Sequence, residues 1–330
     1  MSLLPQPFLD HPEVVPIPQE YQPAVDEVYE WMKAQSRFSK FTKNHAYLFV
    51  HACYGDVPSS KRALLRYVQI RLSSPDLFDN RDMMLEEIQF VYDMTHMVGL
   101  PLKTPEGYNI LVYRLSDSDP SKMHFGNAIK AFCMFNDVRI SEDGITEGYV
   151  VVFDMKGLRF GHLTRIQLGP LRTFMAYIQE AHPVRLKKIY IVHTSFFINQ
   201  IMTLVKPLMR GELMSLLKFT SLGPSDVLPS ELLPVDYGGP LERLEKMHKH
   251  QRHMIERRYR QWLIESALTK PSTDSKGKTA SGSLVTTATS TSSGASTMKN
   301  VIEKGEIVVE ETGCSEMAKM ATKFSSLEVD

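Results

Sequence analysis

The sequence predicts an α/β fold in which a small helical bundle precedes a mostly parallel sheet covered by helices. Two runs, Tyr149-Val150-Val151-Val152-Phe153 and Ile189-Tyr190-Ile191-Val192, are unbroken β-branched and aromatic stretches, as expected of strands covered on both faces. Between them Leu163, Ile166, Leu168, Leu171, Phe174, Tyr177, Ile178 and Ala181 recur at roughly helical spacing. The unit therefore reads strand, helix, strand, with a right-handed crossover joining parallel strands. Upstream, residues 23–99 hold four helical patterns broken by turn chemistry, which is the bundle.

Taken in order, residues 1–20 read as extended, because Pro5, Pro7, Pro12, Pro16 and Pro18 remove donors and block helix. A helical domain over 21–99 follows, with patterns at 25–34, 41–53, 60–72 and 83–98. Asp56, Ser59 and Asp79 stand where caps are needed, and Gly55 and Gly99 where helices stop. Residues 100–107, with two prolines and a glycine, read as the linker into a second domain over 100–240. That domain opens with a strand over 108–115 and a helix over 121–135. After its last strand comes an apolar helix over 196–209 that leaves little polar face, so it must be buried or must cover something apolar. Leu241, Leu244, Met247, Gln251, Ile255, Tyr259 and Trp262 continue a helical stripe, giving a basic amphipathic helix over 241–268. Beyond it, residues 269–330 turn abruptly to serine and threonine, and such a stretch cannot bury enough surface to offset its ordering entropy. This tail is expected to be disordered, with Ile307-Val308-Val309 its one apolar run.

Composition narrows the function. The 330 residues carry 38 basic and 38 acidic side chains, so no global charge favours nucleic acid. Cys53, Cys133 and Cys314 are odd in number and far apart, which fits a reducing compartment, without a disulfide framework or zinc motif. No signal peptide and no apolar run near ~18 residues is present. The expectation is a cytoplasmic protein that touches membranes only peripherally and transiently.

The chemistry-bearing motifs are few. No Gly-x-Gly-x-x-Gly and no phosphate-cradling Gly-x-x-x-x-Gly-Lys-Ser/Thr occurs, which removes nucleotide-dependent activities. His193-Thr194-Ser195 lacks a Gly-x-Ser-x-Gly elbow, and adjacent strand residues face opposite ways. Asp154 ends a strand where a general base could sit, yet no partner nucleophile can be placed. His248 and His250 stand about 160° apart on a helix, so they cannot share a metal. No catalytic residue, metal or cofactor is expected.

The segment 148–239 carries five ordered motifs: Asp154-Met155-Lys156-Gly157 after a strand; Gln179, Glu180, Ala181 and Pro183 closing a helix; Arg185, Lys187 and Lys188 leading into the next strand; Lys206-Pro207; and Leu233-Pro234-Val235-Asp236-Tyr237-Gly238-Gly239. In these the chain resembles the CRAL-TRIO lipid-binding family. The resemblance runs more weakly through Gly99-Leu100-Pro101-Leu102 and Pro105-Glu106-Gly107 to the helical domain that precedes the lipid-binding domain in this family, and covers roughly 20–265. It implies a cage that holds a hydrophobic molecule, such as a retinoid, a tocopherol or a phospholipid, under a mobile lid helix at 197–217, and moves it between membranes. Phe125, Ile129, Phe132, Phe153, Phe174, Ile178, Ile191 and His193 would face the guest from the sheet side. Phe196, Phe197, Ile201, Met202, Val205 and Met209 would face it from the lid. Methionine and aromatic side chains suit an irregular apolar guest. Some members bind phosphatidylinositol bisphosphate, and Arg185, Lys187 and Lys188 match part of that cleft. Glu212, Met214 and Leu216 stand where relatives carry basic residues, and 46–51 replaces a stretch that is arginine-rich in many members. His193 stands where members usually carry asparagine. The alternative is a phosphoinositide-dependent membrane adaptor that recruits a partner through its tail.

Overall fold

Three helices build the amino-terminal bundle in the computed structural model, which describes residues 7–194 and 198–268. Helix α1 (Gln22–Lys33) carries Pro23 in its first turn, where a fixed φ is compatible with helix and no amide partner is needed. Helix α2 (Lys43–Ala52) is opened by a reciprocal cap between Thr42 and His45 and closed by Tyr54 and Gly55, both at positive φ. Helix α3 (Val57–Ser73) is capped by Asp56, whose carboxylate accepts from the Ser59 amide at 2.8 Å. Their inward stripes, among them Val28, Met32, Phe49, Val50, Leu64 and Val68, form one core.

After a short turn of helix, α4 (Pro75–Phe78), the chain departs from expectation. The pattern read as one helix over 83–98 is helix α5 (Glu86–Met94) followed by strand β1 (Thr95–Gly99). Thr95 donates its hydroxyl to the Val91 carbonyl at 2.7 Å and closes the last turn, after which the backbone pairs antiparallel with β2 (Asn109–Leu115), Thr95 opposite Leu115. Residues 100–107, read as a linker between domains, therefore join two strands of one sheet. Helix α6 (Phe125–Asp143) leads to β3 (Tyr149–Asp154), and the single turn α7 (Phe160–Leu163) precedes α8 (Leu168–Glu180), which leads to β4 (Leu186–Val192).

The next expectation is also corrected. The apolar segment read as one helix over 196–209 is α9 (Ile198–Val205), a tight turn at Lys206–Leu208, and α10 (Gly211–Ser215). Pro207 supplies the reason, since it lacks an amide donor and cannot continue the helix. Strand β5 (Leu217–Phe219) then completes a sheet of order β1-β2-β3-β4-β5, with β1 antiparallel and the others parallel.

Period-two alternation divides the sheet. Ile110, Val112, Val150, Val152, Tyr190 and Val192 face one way, against Leu228, Leu232, Leu233 and Leu244. Leu111, Val151, Phe153, Ile189 and Ile191 face the other way, toward α6 and α8. Helix α11 (Leu244–Met254) runs through a π turn (Ile255–Tyr259) into α12 (Arg260–Glu265). The extra residue of the π turn shifts the buried stripe, so Leu263 rather than Trp262 is fully buried. Helix α11 lies along β1: the Met97 amide donates to His248 Nδ1 at 3.2 Å, and Gln251 exchanges two hydrogen bonds with the Gly99 backbone at 2.9 and 2.8 Å. The tail 269–330 lies outside the described residues, as do Phe196 and Phe197.

A buried ion cluster ties the bundle to α6. Asp137 accepts from Arg71 at 2.7 Å and from Arg81, and Arg71 also donates to the Tyr177 hydroxyl at 2.6 Å. Arg71, Arg81 and Asp137 are all within 5% of full burial. Burial alone would raise the Asp137 pKa, but the charges of Arg71 and Arg81 outweigh it and hold the carboxyl below its ordinary value.

Candidate functional site

Between the sheet and α9 lies a cavity of about 410 Å³. Its floor is the face of β2, β3 and β4 that carries Leu111, Val151, Phe153, Ile189 and Ile191. Helix α6 contributes Phe125, Ile129 and Phe132, four or three residues apart, and α8 contributes Phe174 and Ile178. The roof is Ile198, Ile201, Met202 and Val205 of α9, with Met209 from the following turn. These α9 positions form the i, i+3, i+4, i+7 stripe of an amphipathic helix, while Asn199 and Thr203 face out. Helix α9 is thus apolar on one side only, against the expectation of an apolar surface nearly all round.

The structure brings eleven of the expected residues to this one cavity: Phe125, Ile129, Phe132, Phe153, Phe174, Ile178, Ile191, Ile201, Met202, Val205 and Met209. His193 is not among the lining residues. Held at φ 48°, it turns its Nδ1 to Asp154 Oδ1 at 2.7 Å. Asp154 Oδ2 accepts from the Tyr237 hydroxyl at 2.8 Å, and the Lys156 amide donates to Oδ1 at 2.9 Å. Two motifs far apart in sequence, 154–157 and 233–239, therefore close on one buried carboxylate. A Cβ at Gly223 would stand 3.0 Å from His193 Nε2, so that nitrogen faces packed backbone. The arrangement ties strand ends together, and it explains why Asp154 and His193 stand where they do.

Gln179 and Glu180 end α8 and grip the roof where it breaks. Gln179 donates to the Leu208 carbonyl at 2.9 Å and accepts from the Arg210 amide at 2.7 Å. Glu180 accepts from Arg210 and, on its other oxygen, from Arg66 Nε of α3 at 2.6 Å. One carboxylate thereby joins bundle, cage and roof. Sequence reasoning named this pair as a motif and missed its task, because the partners lie 30 and 114 residues away.

The expected phosphoinositide residues separate. Arg185 is buried, donates to the His51 carbonyl at 2.9 Å and the Tyr21 hydroxyl at 3.0 Å, and stacks on the Tyr54 ring at 4.1 Å. It is committed to the contact between bundle and sheet. Lys187 donates to the Tyr54 hydroxyl at 3.0 Å, and Lys188 is exposed. Among the described residues no group of three histidine, cysteine or acidic side chains could hold a metal ion, and no helix is long and apolar enough to cross a membrane.

Comparison with known proteins adds to this geometry. Residues 93–239 match the CRAL/TRIO domain, and residues 17–88 match a Pinta-like UBA domain. The chain is 24% identical over 204 residues to the alpha-tocopherol transfer protein-like protein of Mus musculus, covering 60% of this chain and 58% of that one. It is 27% identical over 152 residues to a CRAL-TRIO domain-containing protein of Saccharomyces cerevisiae, covering 43% and 48%. The chain thus spans roughly half of each relative's length. The crystal structure of Sfh5 aligns with a TM-score of 0.45 at 13% identity, over 74% of this chain and all of that one.

Proposed function

We propose, from the match of residues 93–239 to the CRAL/TRIO domain, that the chain carries one hydrophobic small molecule in the cavity beneath α9 and moves it between membranes. The observation that carries this reading is the lining. Of the described residues around the 410 Å³ space, only Asn136, Tyr149 and His182 bear a side-chain nitrogen or oxygen. Apolar cavities do not hold ordered water well, and this volume falls at the small end of the ~300–1,000 Å³ range of small-molecule sites. One slender guest suits it better than a lipid with two long chains. Burying ~400 Å² of guest surface at ~25 cal/mol/Å² offers roughly 10 kcal/mol before ordering costs.

Release requires the roof to open, so α9 and α10 act as a lid and Gln179 and Glu180 as its latch. The latch ion pairs are partly exposed, so each is weak. Glu180→Gln is expected to raise the dissociation rate of an apolar fluorescent probe by roughly 2- to 10-fold, measured by stopped flow. An unchanged rate would remove the latch from the mechanism.

Docking is assigned to the strand ends beside the lid, where Phe219 and Leu222 are 40% and 59% exposed next to exposed Lys218. Apolar side chains flanked by a cation enter the membrane interface favourably. Lys187 and Lys188 are left to meet anionic headgroups, without Arg185. Leu222→Asp, outside the cavity lining, should slow transfer to vesicles several-fold while the amount of bound guest stays the same; equal loss of both would point to misfolding instead. The direct test of carriage is mass spectrometry of a solvent extract from gently purified protein. One apolar species at stoichiometric amount supports it, and an empty protein that still binds phosphoinositide vesicles would favour the adaptor.

A further inference from the structure

We propose that Phe132 sets the longest guest the cage accepts, because its ring stands between the cargo cavity and a second hollow, where β2 and β3 end and β1 begins. This rests on the carrier reading of the cargo cavity. The second hollow has a volume of about 190 Å³, nearly half that of the first. Val91, Thr95, Met97, Arg114, Leu115 and Leu158 line it and not the cargo cavity, whereas Ala128, Phe132, Phe153 and Met155 line both. These four form the partition.

Register fixes one side of that partition. Phe153 on β3 is paired with Tyr113 on β2 and with Ile191 on β4, so its ring is hemmed in along the sheet. The Tyr113 and Phe153 rings stack at 5.3 Å, and Tyr113 donates its hydroxyl to Asn136 at 3.1 Å. Phe132 comes from the other side, on α6. Its ring lies 4.6 Å from Tyr113 and 6.2 Å from Phe153, and it meets Phe174 edge-on at 5.2 Å. One helical turn earlier stands Ala128, whose methyl group leaves space on the face that the Phe132 ring leans over. A helical phenylalanine has two staggered χ1 wells open to it. Phe132 is therefore the ring of the partition that can turn.

The second hollow suits the end of an apolar chain. Val91, Met97, Leu115 and Leu158 bring no side-chain nitrogen or oxygen to it, and its polar side chains are engaged. Thr95 spends its hydroxyl on the Val91 carbonyl at 2.7 Å, and Asp154 is held by His193 and Tyr237. Arg114 lies 3.6 Å from Asp236, with its guanidinium 5.9 Å above the Tyr237 ring. A buried methylene is worth about four-fold in affinity. With the Phe132 ring in place, a guest that outgrows the cargo cavity gains nothing from further methylenes; with the ring gone, its end continues into the second hollow.

The test uses delipidated full-chain protein and straight-chain alcohols of increasing length, each displacing an apolar fluorescent dye. Wild-type affinity should rise about four-fold per methylene up to a break, and then level off or fall. In Phe132→Ala the break should move to chains several carbons longer; in Phe132→Leu, which keeps more of the packing, it should move the same way by less. Phe174→Ala controls for lost volume. Phe174 lines the cargo cavity and not the second hollow, so removing its ring should move the break clearly less than Phe132→Ala does. Leu158→Trp fills the second hollow alone, so it should leave the wild-type break in place and cancel the shift when combined with Phe132→Ala. Short alcohols held as tightly as by the wild type show that each variant folds. An unmoved break in both Phe132 variants, equal shifts in Phe132→Ala and Phe174→Ala, or a shift that survives Leu158→Trp would each overturn the assignment. Failure of every alcohol to bind the wild type would refute carriage itself.

Discussion

Asp137→Asn is expected to lower folding stability by about 3–5 kcal/mol, the effect of breaking a buried ion cluster from one side. The substitution leaves Arg71 and Arg81, both buried, facing each other without a counter-charge. A urea titration should show the midpoint falling with little change in slope. Replacing Arg71, Arg81 and Asp137 together with apolar residues should recover much of the loss, because well-packed hydrophobic groups can stand in for a buried ion cluster. A loss under about 1 kcal/mol for Asp137→Asn would mean that the cluster is solvated. The pH dependence follows from the same depression of the Asp137 pKa. Its folded value lies below the ordinary 3.8, so its stabilisation is fully present above that pH and is lost as pH falls through the folded value. Asp137→Asn should abolish this part of the acid transition.

Ala128→Phe is the second large effect, and it is one of binding rather than stability. Ala128 lies on α6 against the cavity, and a phenyl ring there occupies space that the guest would need. Guest recovered per protein should fall at least about ten-fold, while the denaturation midpoint stays within about 1 kcal/mol of the wild type, because the ring fills a void instead of overpacking a dense core. Extraction and mass spectrometry of both proteins would decide it. Undiminished guest in the variant would place the cargo somewhere other than beneath α9.

Much of this architecture is legible in the sequence where local pattern and tertiary role agree. Residues 149–153 and 189–192 read as doubly covered strands from their β-branched and aromatic content, and the period of α6 and α8 already turns Phe125, Ile129, Phe132, Phe174 and Ile178 to one side. Strand β1 is not legible in this way, because 83–98 keeps a helical rhythm across a boundary fixed by pairing with β2. The break of the roof at Pro207 is local chemistry that apolar content obscures. Sequence reasoning placed His193 at the cavity, but its backbone enters the left-handed region and swings the ring to Asp154.

The bonds from α11 to β1 bear on how the molecule behaves in crowded solution. An edge strand with free backbone donors and acceptors is a template for another chain. Here His248 and Gln251 take up the outward groups of Met97 and Gly99, in effect serving as a counterfeit neighbouring strand made of side chains. At the opposite border the sheet offers only the three residues of β5, too short to recruit a partner. The sheet thus keeps its hydrogen-bonding borders shut while one of its faces borders an apolar cavity, which separates its apolar surface from its capacity to pair with another copy.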